Sequence, residues 1–175
     1  MIASIRFALI SLLGLLLSGC YVSDRLLLDL DAAAHPIEDG VYVRDGDPSD
    51  RMQITLEPDG WYAVAKYNPN GLIGRTHRVL ATEADLGGEE GYVLAEQTSS
   101  GFTYAIGRLD GGRVYLATPD CSDPLDRSDA VDQGAEARDD GPMTNNCLFR
   151  SRAALMAALS GFAGHAVYGE PYQRH

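Results

Sequence analysis

Met52, Ile54 and Leu56 alternate with Gln53, Thr55 and Glu57, and this period of two constrains the fold more than any other feature of the chain. Successive side chains of an extended strand point to opposite faces, so such a run describes a strand with one face buried and the other in water. Glu57-Pro58-Asp59-Gly60 follows, with Pro and Gly where a type I turn takes them. Trp61 to Tyr67 then alternates aromatic and small apolar residues, so 51–67 predicts a β-hairpin. Asn68-Pro69-Asn70-Gly71 marks the next turn and Asp110-Gly111-Gly112 a later one. With further strands predicted at 41–44, 76–82, 92–97, 102–108 and 113–118, the chain carries about seven short strands divided by turn residues. The expected class is mainly β (α+β): an antiparallel β-sandwich or small β-barrel with one C-terminal helix.

That helix is predicted over 152–163, where Ser151 caps the start and Leu155, Ala158, Leu159 and Phe162 form one apolar face. Gly164 stands where a helix ends. A single β-rich domain over 39–167 is expected, followed by a polar tail, 168–175, that frays.

The N-terminus carries Arg6, an apolar run from Phe7 to Leu17, and then Leu17-Ser18-Gly19-Cys20. The run is shorter than the roughly 20 residues a spanning helix needs, and its layout is that of a secretory signal. Leu17-Ser18-Gly19-Cys20 resembles the lipobox of bacterial lipoproteins. The resemblance implies that 1–19 is a signal peptide cut before Cys20, that the Cys20 thiol carries a diacylglycerol, and that the new amino terminus is acylated. Membrane lipid is then a partner through acylated Cys20. In Gram-negative lipoproteins an Asp after the lipidated Cys favours inner-membrane retention. Tyr21 occupies that place here, so the resemblance implies the outer membrane, periplasmic side. Residues 20–38 form the lipidated N-terminus and a tether. Within it Leu26, Leu27, Leu30, Ala33 and Ala34 recur at helical spacing between Ser23 and Pro36, as a short amphipathic helix or a half-ordered spacer.

Removing 1–19 leaves 156 residues and, because only Arg6 is lost among the charged groups, moves the formal charge from −11 to −12. Nucleic-acid binding needs clustered Lys and Arg and is not expected, nor is electrostatic adhesion to anionic lipid. With Cys20 acylated, Cys121 and Cys147 remain as an even pair in an oxidising compartment, and a disulfide between them is expected. Residues 120–142 hold eight acidic and two basic side chains with almost no apolar content, and read as a solvated acidic loop pinned at its base by that bridge. Asp120, Asp123, Asp126, Asp129 and Asp132 recur at every third position, but the ligand register of a calcium-binding loop is missing and no metal site is expected.

His35, His77, His165 and His175 have no partner at ligand spacing in sequence, and no nucleophile elbow, metalloprotease or phosphate-loop motif occurs. An enzyme is not expected, nor a cofactor. The aromatic residues are more informative. Trp61 and Tyr62 are adjacent in a strand and must face opposite ways, so one is exposed unless a helix or second sheet covers it. Trp61, Tyr62, Lys66, Arg75 and Arg78 therefore form the candidate binding patch. The leading expectation is a membrane-anchored envelope lipoprotein with a non-enzymatic binding or structural role and an envelope protein as possible partner. One alternative is an inhibitor of a secreted enzyme such as lysozyme, because Ser100-Gly101-Phe102-Thr103-Tyr104 is faintly similar to the inhibitory loop of the membrane-bound lysozyme inhibitors. Thr103 stands where that loop has a basic residue. The other is a carrier of a lipid or apolar ligand, for which Ala63, Ala65, Ala95, Ala105 and Ala117 leave room in the strands.

Overall fold

The computed structural model describes residues 21–67, 71, 73–139 and 145–175; the expected signal peptide and lipobox (1–20), the predicted turn residues 68–70 and the end of the acidic segment (140–142) lie outside the described residues. The first strand, β1 (Tyr21–Ser23), is followed by a single 3-10 turn at Leu30–Ala32. Then come β2 (Gly40–Arg44), β3 (Asp47–Leu56), β4 (Tyr62–Tyr67), β5 (Ile73–Asp85), β6 (Glu90–Thr98), β7 (Gly101–Asp110) and β8 (Arg113–Ala117), each paired antiparallel with the next. The chain leaves the sheet through α1 (Pro124–Asp132), β9 (Glu136–Asp139), β10 (Asn145–Leu148) and α2 (Arg152–Ala163). It returns as β11 (Tyr172–Arg174), which fits between β8 and β2 and closes the ring. The result is a closed antiparallel barrel of eight strands, β2 to β8 plus β11.

Alternation splits the apolar side chains into two cores. Met52, Ile54, Tyr62, Ala81, Leu94 and Val114 point into the lumen. Their neighbours Leu80, Val93, Ala95, Tyr104 and Ile106 point outward and are covered by the N-terminal segment and the helices. Helix α2 forms as predicted: the Ser151 hydroxyl accepts from the Ala154 amide at 3.3 Å, and Leu155, Ala158, Leu159 and Phe162 are buried. Leu155 and Leu159 are 0 % exposed, each worth about 1.5–3 kcal/mol of burial.

Three expectations need correction. Residues 21–38 are not a spacer. β1 lies between β7 and β10, with Val22 opposite Thr103 on one side and Tyr21 beside Cys147 on the other. Tyr21 is 0 % exposed, its hydroxyl donates to the Asp126 carbonyl at 2.6 Å, and its ring meets Phe149 at 5.1 Å. The predicted helix is reduced to the 3-10 turn, after which Ala33 bridges to Thr82 and the Ala34 amide donates to the Ala81 carbonyl. The acidic segment is not a solvated loop. The Asp123 carboxylate caps α1 by accepting from the Leu125 and Asp126 amides, Pro124 takes the first helical position, and β9 pairs with β10. The tail does not fray as a whole, because Tyr172 is buried in the barrel wall.

Cys121 and Cys147 are joined by a disulfide, with Cα atoms 6.0 Å apart and a sequence separation of 26. It holds β10, and with it the slot that β1 occupies, against the segment that leads into α1.

Candidate functional site

The structure does not bring the predicted patch together, because the barrel wall divides it. Trp61 and Tyr62 do face opposite ways, but both are covered. Tyr62 lies in the lumen, where its hydroxyl accepts from the Ile37 amide and donates to the Ile37 carbonyl, each at 3.1 Å. Ile37 thus plugs that end of the barrel, and burial raises the Tyr62 pKa above the ordinary tyrosine value. Trp61 lies on the outer wall, 6.3 Å from Phe102 between ring centroids, with the Arg78 guanidinium stacked 4.9 Å above it. Arg78 is itself paired, with Glu57 at 3.0 Å and with Asp59. Lys66 points into the lumen and meets Asp50 at 3.0 Å. Arg75 is exposed on β5, two residues from His77. The expected basic rim is thus largely spent on local carboxylates.

What the fold does assemble is a polar cap at the lumen end opposite Ile37. Asp50 on β3 accepts from Arg44 on β2 at 3.0 Å, from Lys66 on β4 at 3.0 Å and from the Tyr172 hydroxyl on β11 at 2.9 Å. The Arg44 guanidinium also donates to the Tyr172 oxygen, at 3.1 and 2.7 Å. Burial first, and the Asp50 carboxylate second, hold the Tyr172 phenol well above the ordinary tyrosine range, so it remains a donor. Beside this network the His77 imidazole Nδ1 lies 2.6 Å from the carboxylate of Glu96, which is 3 % exposed. Thr103 stands opposite Glu96 across β6 and β7, and its hydroxyl is the one buried side-chain polar atom without a hydrogen-bond partner among the described residues.

Lys66, His77 and Glu96 form one end of an apolar lumen cavity of about 70 Å³, lined otherwise by residues such as Met52, Ile54, Val64 and Leu94. Ligand pockets begin at about 300 Å³, so the lumen as it stands has room for a few atoms and not for an acyl chain. A wider groove outside it, of about 690 Å³, is lined by Glu83, Asp85, Glu89 and Glu90 and makes the β5–β6 end of the barrel negative. Among the described residues no group of three His, Cys, Asp or Glu is placed to hold a metal ion.

Reading from sequence missed a second polar centre, built around the buried Asp126. Asp126 on α1 accepts from the Asp120 amide at 2.6 Å and lies 2.8 Å from His165 Nε2, while His165 Nδ1 is 3.8 Å from Asp129. With the Tyr21 hydroxyl on the Asp126 carbonyl, this centre ties β1, α1 and the end of α2 together. It is a fastening of the fold, with Asp126 buried against the outer core and His165 open to the surface. The signal in the sequence was Asp123-Pro124, a cap followed by the residue that best opens a helix.

Fold and site together define a closed, up-and-down antiparallel β-barrel with a plugged, nearly filled lumen and a helical annex stapled by one disulfide. No family model, no curated protein and no solved structure matches the chain.

Proposed function

We propose that the protein is an envelope lipoprotein, held in the membrane by acylated Cys20, with a non-enzymatic binding or structural role at the periplasmic side of the outer membrane. The reading rests on the likeness of Leu17-Ser18-Gly19-Cys20 to a lipobox, and the observation that supports it is the Cys121–Cys147 disulfide, which leaves Cys20 as the one cysteine outside the bridge. The disulfide is in keeping with an oxidising compartment.

The two alternatives draw less support from the geometry. Ser100 to Tyr104 runs into β7 instead of forming a projecting loop, and Tyr104 is 0 % exposed with its hydroxyl 2.8 Å from that of Ser23. A lumen cavity of about 70 Å³ favours packing over carriage of a lipid. Recognition then falls to the outer surface, and an envelope protein is the expected partner. Crosslinking the protein in intact cells, with a Cys20→Ser variant as control, tests this. A discrete partner captured only from the acylated chain is the expected result. Capture that is the same with Cys20→Ser, or potent inhibition of lysozyme by the purified domain, refutes it.

A further inference from the structure

At the polar end of the lumen, hydrogen-bonding groups that nothing in the fold satisfies border an apolar void. We infer that the lumen is a binding site for a small neutral alcohol, its hydroxyl held by Lys66, His77 and Thr103 and its short carbon body in the cavity below them.

Strand pairing gathers these groups. His77 on β5 lies opposite Val64, so Lys66, two residues further along β4, is its diagonal neighbour on the same face. Glu96 on β6 lies opposite Val79 and is the diagonal neighbour on the other side, and Thr103 on β7 lies opposite Glu96. Because a carboxylate only accepts, the His77 Nδ1 hydrogen goes to Glu96, at 2.6 Å, and Nε2 of the neutral ring is left as an acceptor. Among the described residues Nε2 makes no hydrogen bond. Lys66 gives one of its N–H groups to Asp50 and keeps others to give, and the Thr103 hydroxyl is buried without a partner. The end therefore offers two donors, Lys66 and Thr103, and one acceptor, His77. A hydroxyl accepts two hydrogen bonds and donates one, so a single hydroxyl completes all three. Charge selects a neutral guest: Arg44 and Lys66 are balanced by Asp50 and Glu96, while Arg75 stands out in water. An ionised head would leave an unpaired charge against the apolar wall.

The cavity sets the size of the body. Met52, Ile54, Val64, Val79 and Leu94 form its walls and Ile37 its floor. A cavity of about 150 Å³ takes the six carbons of benzene, so the lumen's volume of about 70 Å³ takes about three. The floor is fixed, because the Tyr62 hydroxyl holds both the N–H and the carbonyl of Ile37. Ile37 therefore limits the length of the guest. The polar end is the way in: the His77 and Lys66 side chains keep 17 % and 21 % of their surface exposed.

The test uses the oxidised mature chain with Cys20→Ser, which holds every described strand and helix, and follows the methyl resonances of Val64, Val79 and Leu94 by NMR. Titrated n-propanol should shift them saturably, with a dissociation constant no tighter than about 40 µM, the ligand-efficiency ceiling for a guest of about four heavy atoms. Propionate, of similar size but charged, should bind at least about tenfold more weakly. In the native chain n-hexanol should leave the methyls unmoved, and in Ile37→Ala, whose cavity is longer by about three carbons, it should shift them. Thr103→Val removes the unpartnered hydroxyl, so it should keep or raise the urea midpoint while weakening n-propanol about tenfold. Methyls that ignore n-propanol, leaving the polar groups to water alone, overturn the inference. So does a native chain that binds n-hexanol or propionate as well as n-propanol. None of these results bears on the acylation of Cys20.

Discussion

Gly101 offers the sharpest perturbation of the fold, because its missing Cβ leaves the space in which the end of β1 lies against β7. Its φ is +142°, a conformation side-chain-bearing residues rarely adopt, and a Cβ built there overlaps the Ser23 carbonyl oxygen and crowds the Asp24 backbone. Those atoms are backbone and cannot swing aside, so Gly101→Ala must displace one of the two strands. The backbone conformation alone costs about 1–3 kcal/mol. Undocking Tyr21 from its buried site adds a cost of the order of an aromatic truncation, about 3–5 kcal/mol. If the strand yields only in part, a total loss of about 4 kcal/mol is expected. Gly111→Ala is the control: its φ is +56° and no atom lies within 4 Å of the new Cβ, so only a left-handed backbone penalty of about 1–2 kcal/mol applies. Urea unfolding of the two oxidised variants gives the difference. Hydrogen exchange at the Phe149 amide, which donates to the Val22 carbonyl, reports the strand itself and should lose protection only in Gly101→Ala. Equal costs for the two variants, with the Phe149 amide still protected, would refute the docking of β1.

Other expectations follow from the same structure. Replacing Cys121 and Cys147 together by Ala removes a crosslink across 26 residues and should lower stability by about 3–4 kcal/mol, read as a lower urea midpoint. Asp123→Ala removes the cap of α1 and should cost about 1 kcal/mol; Asp123→Asn, which keeps the acceptor, should cost much less in the same titration. Tyr172 has a native pKa raised by burial and by Asp50, so its contribution is fully present below the unfolded tyrosine value of about 10 and is lost as pH rises from there toward the native value. Melting temperature should therefore fall above pH 10, and Tyr172→Phe should make that fall shallower. A steeper alkaline fall in the variant would contradict the assignment.

The barrel strands were legible because each buries one face and wets the other, which writes a period of two into Met52–Glu57 and Trp61–Tyr67. Helix α2 was legible for the matching reason at a period near four. The strands β1 and β11 were not. Each is three residues long, too short to show a period, and each is a strand only because two neighbours present open edges to it. Helix α1 was hidden by its composition: it places only Asp126 and Ala130 in the interior, so its apolar signal is nearly absent and its cap is the one readable mark. The candidate patch failed in an instructive way. Alternation separated Trp61 from Tyr62 as expected, but what covers each of them comes from far along the chain, Ile37 over Tyr62 and Phe102 with Arg78 over Trp61. The polar cap of Arg44, Asp50, Lys66 and Tyr172 draws on four strands, and no local spacing announces it.

The central claim is that Cys20 is the acylated first residue of the mature protein, directly ahead of β1. Mass spectrometry of the N-terminal peptide from protein isolated out of membranes tests it most directly. The account predicts a peptide beginning at Cys20, heavier than its sequence by a diacylglyceryl group and an amide-linked acyl chain. A peptide that retains residues 1–19, or a Cys20 with a free thiol, would contradict it.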